Sequence, residues 1–111
     1  MIARLWRGVT AAADADAYLT YLQRTGLGEY RATPGNRAAV AIRRISAGRA
    51  EFVLLTLWDS HEAIRAFAGP DLDRAVFYPE DDRFLLERGE RVDHFDVVFS
   101  AGDLCLEPRR S

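Results

Sequence analysis

The 111-residue chain has no lysine and a single cysteine, and each shortage removes a class of chemistry. All 15 basic side chains are arginine, so neither a Schiff-base lysine nor a phosphate-loop lysine is available. Cys105 alone makes neither an intrachain disulfide nor a thiolate metal cage. No run of about 18 apolar residues is present to span a membrane. Met1 to Arg7 lacks the apolar core and small-residue cleavage site of a secretion signal, so a cytoplasmic protein is expected. Basic charge is not in excess either: 17 acidic residues against 15 arginines leave a net charge of −2. Nucleic-acid binding is not expected, because neutralising phosphates needs clustered positive charge.

What is present fits one α+β domain over residues 1–100 with a tail at 101–111. Ile2 to Gly8 alternates like a strand, with Leu5 and Arg7 on one face and Ile2, Arg4 and Trp6 on the other. Ala11 to Arg24 carries Ala15, Tyr18, Leu19 and Leu22 at helical spacing, and Gly26 with Gly28 ends or kinks that helix. After a turn at Thr33 to Asn36, the strands Arg37 to Ser46 and Arg49 to Trp58 flank the dipeptide Ala47-Gly48, which predicts a hairpin. Asp59 is the expected cap of a second helix, with Glu62 three residues on and Gly69-Pro70 as its stop. A short helical piece over Leu72 to Val76 and an irregular turn over Glu80 to Leu86 lead to a fourth strand, Arg91 to Phe99. Leu104, Cys105 and Leu106 form a candidate edge strand in the tail.

This βαββαβ order, with two helices on one side of an antiparallel sheet, is the ferredoxin-like arrangement. The third strand, Phe52 to Trp58, is apolar on both faces, a pattern expected where both faces are buried. Helices cover only one, so a second subunit packed on the face with Trp6, Phe52, Leu54 and Trp58 is the expected cover.

The stretch Leu55-Thr56-Leu57-Trp58-Asp59-Ser60-His61-Glu62-Ala63-Ile64-Arg65-Ala66-Phe67-Ala68 resembles the W-x-S-x-E-A strand-to-helix junction of the antibiotic biosynthesis monooxygenase family, in the dimeric α/β barrel superfamily. The resemblance covers about Ile2 to Val98. It implies a homodimer built from two ferredoxin-like sheets, with a ligand pocket between sheet and helices in each subunit. Some members oxygenate aromatic polyketides without metal or flavin, and others degrade haem. The haem-degrading members use an Asn, a Trp and a His whose places fall near Trp6 or Arg7, on Phe67 and near Phe77. None of the three is present, so no haem, and no other cofactor, is expected.

Oxygenation without a cofactor needs an ionisable aromatic substrate, a proton acceptor, a partner for the resulting anion and an apolar pocket. Tyr18, Leu22, Phe67, Phe77 and Phe84 are the candidate substrate-binding walls, and Tyr78 and His94 the candidate catalytic groups. The plainer alternative makes the aromatics core and His94 part of a structural network with Arg4 and Asp96 at the dimer centre. His61 is expected at the surface. Glu80-Asp81-Asp82 lacks the spacing of a calcium loop and reads as helix-start acids paired with Arg83, so no metal site is expected. A small monooxygenase-like enzyme is the leading reading. A non-catalytic small-molecule-binding or stress-related dimeric α/β barrel protein and an isomerase, cyclase or lyase on the same fold are the alternatives.

Overall fold

A computed structural model describes residues 1–102. Five strands form one antiparallel sheet: β1 (Ile2–Ala11), β2 (Asn36–Ser46), β3 (Arg49–Trp58), β4 (Leu85–Arg88) and β5 (Asp93–Asp96). The helices are α1 (Ala15–Arg24), α2 (Gly26–Ala32), α3 (His61–Ala68) and the single turn α4 (Asp81–Phe84). β1 pairs with β3 along its full length, from Ile2 opposite Trp58 to Ala11 opposite Arg49, and β2 lies on the far side of β3. The other edge of β1 is shared: β4 pairs near Gly8 and β5 pairs from Ile2 to Leu5. This is the ferredoxin-like order with its last strand in two pieces. Among the described residues no helix is long and apolar enough to cross a membrane.

The Ala47-Gly48 hairpin forms as expected, both residues taking positive φ, 53° and 75°. Glycine accepts that conformation freely, whereas alanine's Cβ does not. Ala47→Asn should therefore raise stability by about 1 kcal/mol, read as a higher urea midpoint with an unchanged slope.

The cap of α3 is Ser60 rather than Asp59, its hydroxyl accepting from the Ala63 N–H at 3.2 Å. Asp59 instead accepts from the Arg37 side chain on the neighbouring strand. The first helix does not simply stop at Gly26. Thr25 breaks it, and α2 continues at a new angle, its buried Tyr30 carried into the core. The Leu72 to Val76 segment is not helical. Its backbone groups are drawn off to other partners: the Ala75 N–H donates to the Glu90 carbonyl and the Asp73 carbonyl accepts from the Val92 N–H, both at 2.8 Å, tying the segment to the chain after β4. The expected strand Arg91 to Phe99 shrinks to Asp93–Asp96 for the same reason. Leu104, Cys105 and Leu106 lie outside the described residues.

The largest correction concerns the faces of the sheet. Trp6, Phe52, Leu54 and Trp58, expected between subunits, are buried within this one chain. They pack with Tyr18, Tyr21, Leu22, Tyr30 and Ile64 from the helices. The alternation was legible, but the helices take the face with the bulkiest aromatics, where they bury most apolar area. The opposite face, with Leu5, Val53 and Leu55, has no helix over it and leaves Ile42 and Phe95 exposed.

Candidate functional site

On the helix-covered face, Arg4 of β1 stands opposite Thr56 of β3 on one side and His94 of β5 on the other. Trp6 follows on the same face, and its ring lies over Gly8, where any Cβ would collide with the indole. The indole N–H donates to the Gly89 carbonyl at 2.7 Å, fixing the crossing between β4 and β5. Above these residues runs a strap, residues 69–80, from α3 to α4. Tyr78 at its end is held twice: its N–H donates to Asp81 Oδ2 at 2.6 Å and its hydroxyl to Glu29 Oε2 of α2 at 2.6 Å.

Between sheet, α1, α2 and strap lies a cavity whose walls include Arg4, Trp6, Tyr18, Leu22, Tyr30, Tyr78 and Asp81. Its volume is about 20 Å³, room for about one water molecule. With the strap in this position the void is smaller than an aromatic ring, so a ligand of that kind would need the strap displaced. Tyr78→Phe, which deletes the tie to Glu29, should speed association of such a ligand several-fold by stopped-flow fluorescence, for a bond of about 0.5–1.5 kcal/mol. An unchanged association rate would place the entrance elsewhere.

Arg4 is 2% exposed. One terminal nitrogen donates to the Arg74 carbonyl at 3.0 Å, while Nε has no partner. The guanidinium sits 5.6 Å over the Phe67 ring, and burial pulls its pKa below the usual range, opposed only by the neighbouring phenols of Tyr30 and Tyr78. No carboxylate of the described residues pairs with it. Asp81, 4% exposed, is the reverse case. Burial raises its pKa, the Tyr78 N–H and the Tyr18 hydroxyl (3.4 Å) opposing the shift. Its neighbours Glu80 and Asp82 take the arginines, pairing with Arg83 and Arg88.

Burial and the Asp81 carboxylate push the Tyr18 phenol far up, and burial with Glu29 does the same to Tyr78. Both stay protonated at neutral pH and serve as donors, not bases. His94 reaches Asp73 of the strap with Nδ1 at 3.2 Å rather than the expected Asp96, which is exposed, and its buried Nε2 has no partner. Burial lowers the His94 pKa against the pull of Asp73, with Arg4 and His61 adding to the lowering. The folded chain thus binds the proton less well than the unfolded chain does. His94 stabilises the fold above the unfolded value of about 6.5, and that contribution fades as pH falls through its folded value. Melting temperatures of His94→Gln and the parent should converge as pH is lowered below about 6.5.

Of the sequence-derived candidates, Tyr18, Leu22 and Tyr78 line the cavity. Phe67 lies behind it against Tyr30 and Trp58, Phe77 packs edge-on to Trp6, and Phe84 packs on Tyr18 and Tyr21. His94 stands beside Arg4 on the next strand but outside the cavity wall, and His61 is exposed as expected. Tyr30 and Asp81 are absent from the sequence-derived site.

No protein-family profile matches the chain, and no curated protein matches its sequence. Solved structures do match its shape. A point variant of MhuD with two manganese protoporphyrin IX molecules bound per active site is 19% identical with a TM-score of 0.58, over 93% of this chain and 100% of that one. MhuD from Mycobacterium tuberculosis, a haem degrader with two haems in its active site, is 18% identical with a TM-score of 0.57, over 92% and 100%. A Bacillus cereus protein proposed as an antibiotic biosynthesis monooxygenase is 18% identical with a TM-score of 0.56, over 92% and 97%. The chain has the α+β fold of the antibiotic biosynthesis monooxygenases.

Proposed function

We propose that the chain is a small monooxygenase-like enzyme that acts on an ionisable aromatic molecule without metal, flavin or haem. One observation carries this: a single cavity wall holds a buried guanidinium and a buried carboxylate, neither of which forms an ion pair among the described residues. Such separated charges suit proton removal at one end and anion stabilisation at the other. Asp81 takes a proton from an acidic carbon of the substrate, and Arg4 stabilises the anion. The anion gives one electron to dioxygen, and recombination forms a carbon-bound peroxide. The proton returns from Asp81, and the hydroperoxide loses water to leave a carbonyl group.

Haem does not fit this site. The cavity wall carries no histidine, cysteine or methionine, and the histidine at hand, His94, lies outside that wall beside a buried cation that repels iron. Among the described residues no cluster of three metal-ligating side chains exists. The test is oxygen uptake with 1,8-dihydroxyanthrone and with a dihydroxyanthrone that bears a ring carboxylate. One dioxygen consumed per carbonyl formed, well above the spontaneous rate, supports the reading, and uptake at the spontaneous rate overturns it. Solvent hydrogen exchange into the substrate without oxygen uptake would favour an isomerase, which needs only the first step.

The same reading includes a homodimer. Its supporting observation is the uncovered sheet face, where Leu5, Val53, Leu55, Ile42 and Phe95 meet no helix.

A further inference from the structure

We propose that Arg4 is an anion-recognition subsite and that the natural ligand is an aromatic carboxylic acid whose carboxylate binds its Nε. This names the substrate class of the cavity and rests on the cavity being the binding site. A guanidinium 2% exposed would ordinarily be paired, because a buried charge is retained only with compensating partners. Arg4 has the Arg74 carbonyl and the neighbouring Tyr30 phenol as neutral partners, its Nε–H is unsatisfied, and the described residues supply it no carboxylate. The second orphaned buried nitrogen, His94 Nε2, occupies the strand position paired with Arg4, so the unmet polarity is concentrated at one place. Around it the surfaces are flat and aromatic: Phe67 lies under the guanidinium, and Trp6 and Tyr30 line the cavity. A planar ring ending in a carboxylate matches both features. Its carboxylate supplies the acceptor that Nε lacks, and its ring displaces the water-sized void when the strap lifts.

The charge also identifies itself through stability. A clamp that held the fold together would cost stability when removed. A cation kept for a ligand should not, since its burial is uncompensated in the free protein. Arg4→Gln keeps a donor for the Arg74 carbonyl and removes the charge, so it should melt at or above the parent temperature.

Calorimetric titration with 1-naphthoate and its neutral isostere 1-naphthamide, without oxygen, reads the subsite directly. The parent should prefer the acid by about 10- to 100-fold, the range of a charge-assisted hydrogen bond. Arg4→Gln should lose that preference while keeping its affinity for the amide, and Arg4→Lys should restore part of it. Equal binding of acid and amide by the parent, no binding of either, or an undiminished acid preference in Arg4→Gln would each overturn the subsite. A destabilised Arg4→Gln with an undiscriminating parent would make Arg4 a structural clamp. Asp81→Asn should keep the acid preference, so an acid-selective protein that consumes no oxygen would sink the oxygenase reading and leave the subsite standing.

Discussion

Asp81→Asn should lower the rate of oxygen uptake by about 10²- to 10⁴-fold, the usual worth of a positioned general base, while the variant melts at a higher temperature than the parent at neutral pH. The two effects have one cause. Asp81 is buried without a cation, so its folded pKa lies above the unfolded value. A raised pKa means that the folded chain binds the proton more tightly than the unfolded chain does. Its stabilising effect is complete below the unfolded carboxylate value and is lost as pH rises through the folded one. At neutral pH, above the unfolded carboxylate value, the group is a net cost, which asparagine removes while still accepting from the Tyr78 N–H. The melting difference should shrink to nothing below about pH 4, where the parent carboxyl is protonated in both states. A variant both slower and less stable at neutral pH would mean that Asp81 is a structural clasp for the strap. Full activity would remove it from the chemistry.

Local signals carried most of the fold. The hairpin at Ala47-Gly48, the pairing of Ile2–Ala11 with Arg49–Trp58 and the junction from Trp58 into His61–Ala68 follow from alternation, turn chemistry and capping over neighbouring residues. The errors arose where distant contacts decide. The strap at Leu72 to Val76 has helical composition, yet its Ala75 N–H and Asp73 carbonyl bond to Glu90 and Val92 in the chain between β4 and β5. Which sheet face the helices take depends on Tyr18, Tyr21 and Tyr30 meeting Phe52 and Trp58, a match between two alternations each legible alone. The site inherited that error. With the faces exchanged, Arg4 belonged to a dimer-centre network, whereas in the fold it lines the cavity with Tyr18, Leu22 and Tyr78. Asp81 was hidden for another reason: the acidic run Glu80-Asp81-Asp82 suggests a solvated helix start, and only the turn of α4 sends the middle residue inward.

Two neighbouring leucines of β3 should respond oppositely to the same change, because the strand sends them to opposite faces of the sheet. Leu54 is buried against Trp6 and the helices, and Leu54→Arg forces a long charged side chain into a packed cluster of aromatic rings. The expected cost of about 4–5 kcal/mol or more approaches the whole stability of a domain this size, so the variant should be unfolded by circular dichroism. Leu55 faces the uncovered side, opposite Leu5 and Val40. Leu55→Arg can extend its guanidinium into water in an isolated chain, so it should fold with nearly the parent melting temperature at low concentration. Its effect should appear in sedimentation velocity, where the parent runs as a dimer and the variant as a monomer, since two copies of a new charge would meet across a symmetric interface. A folded Leu54→Arg would show that the buried face is misassigned. A Leu55→Arg protein that stays dimeric would move the subunit contact off this face, while a parent that is monomeric at every concentration would leave Ile42, Phe95 and Leu55 as exposed apolar surface needing another cover.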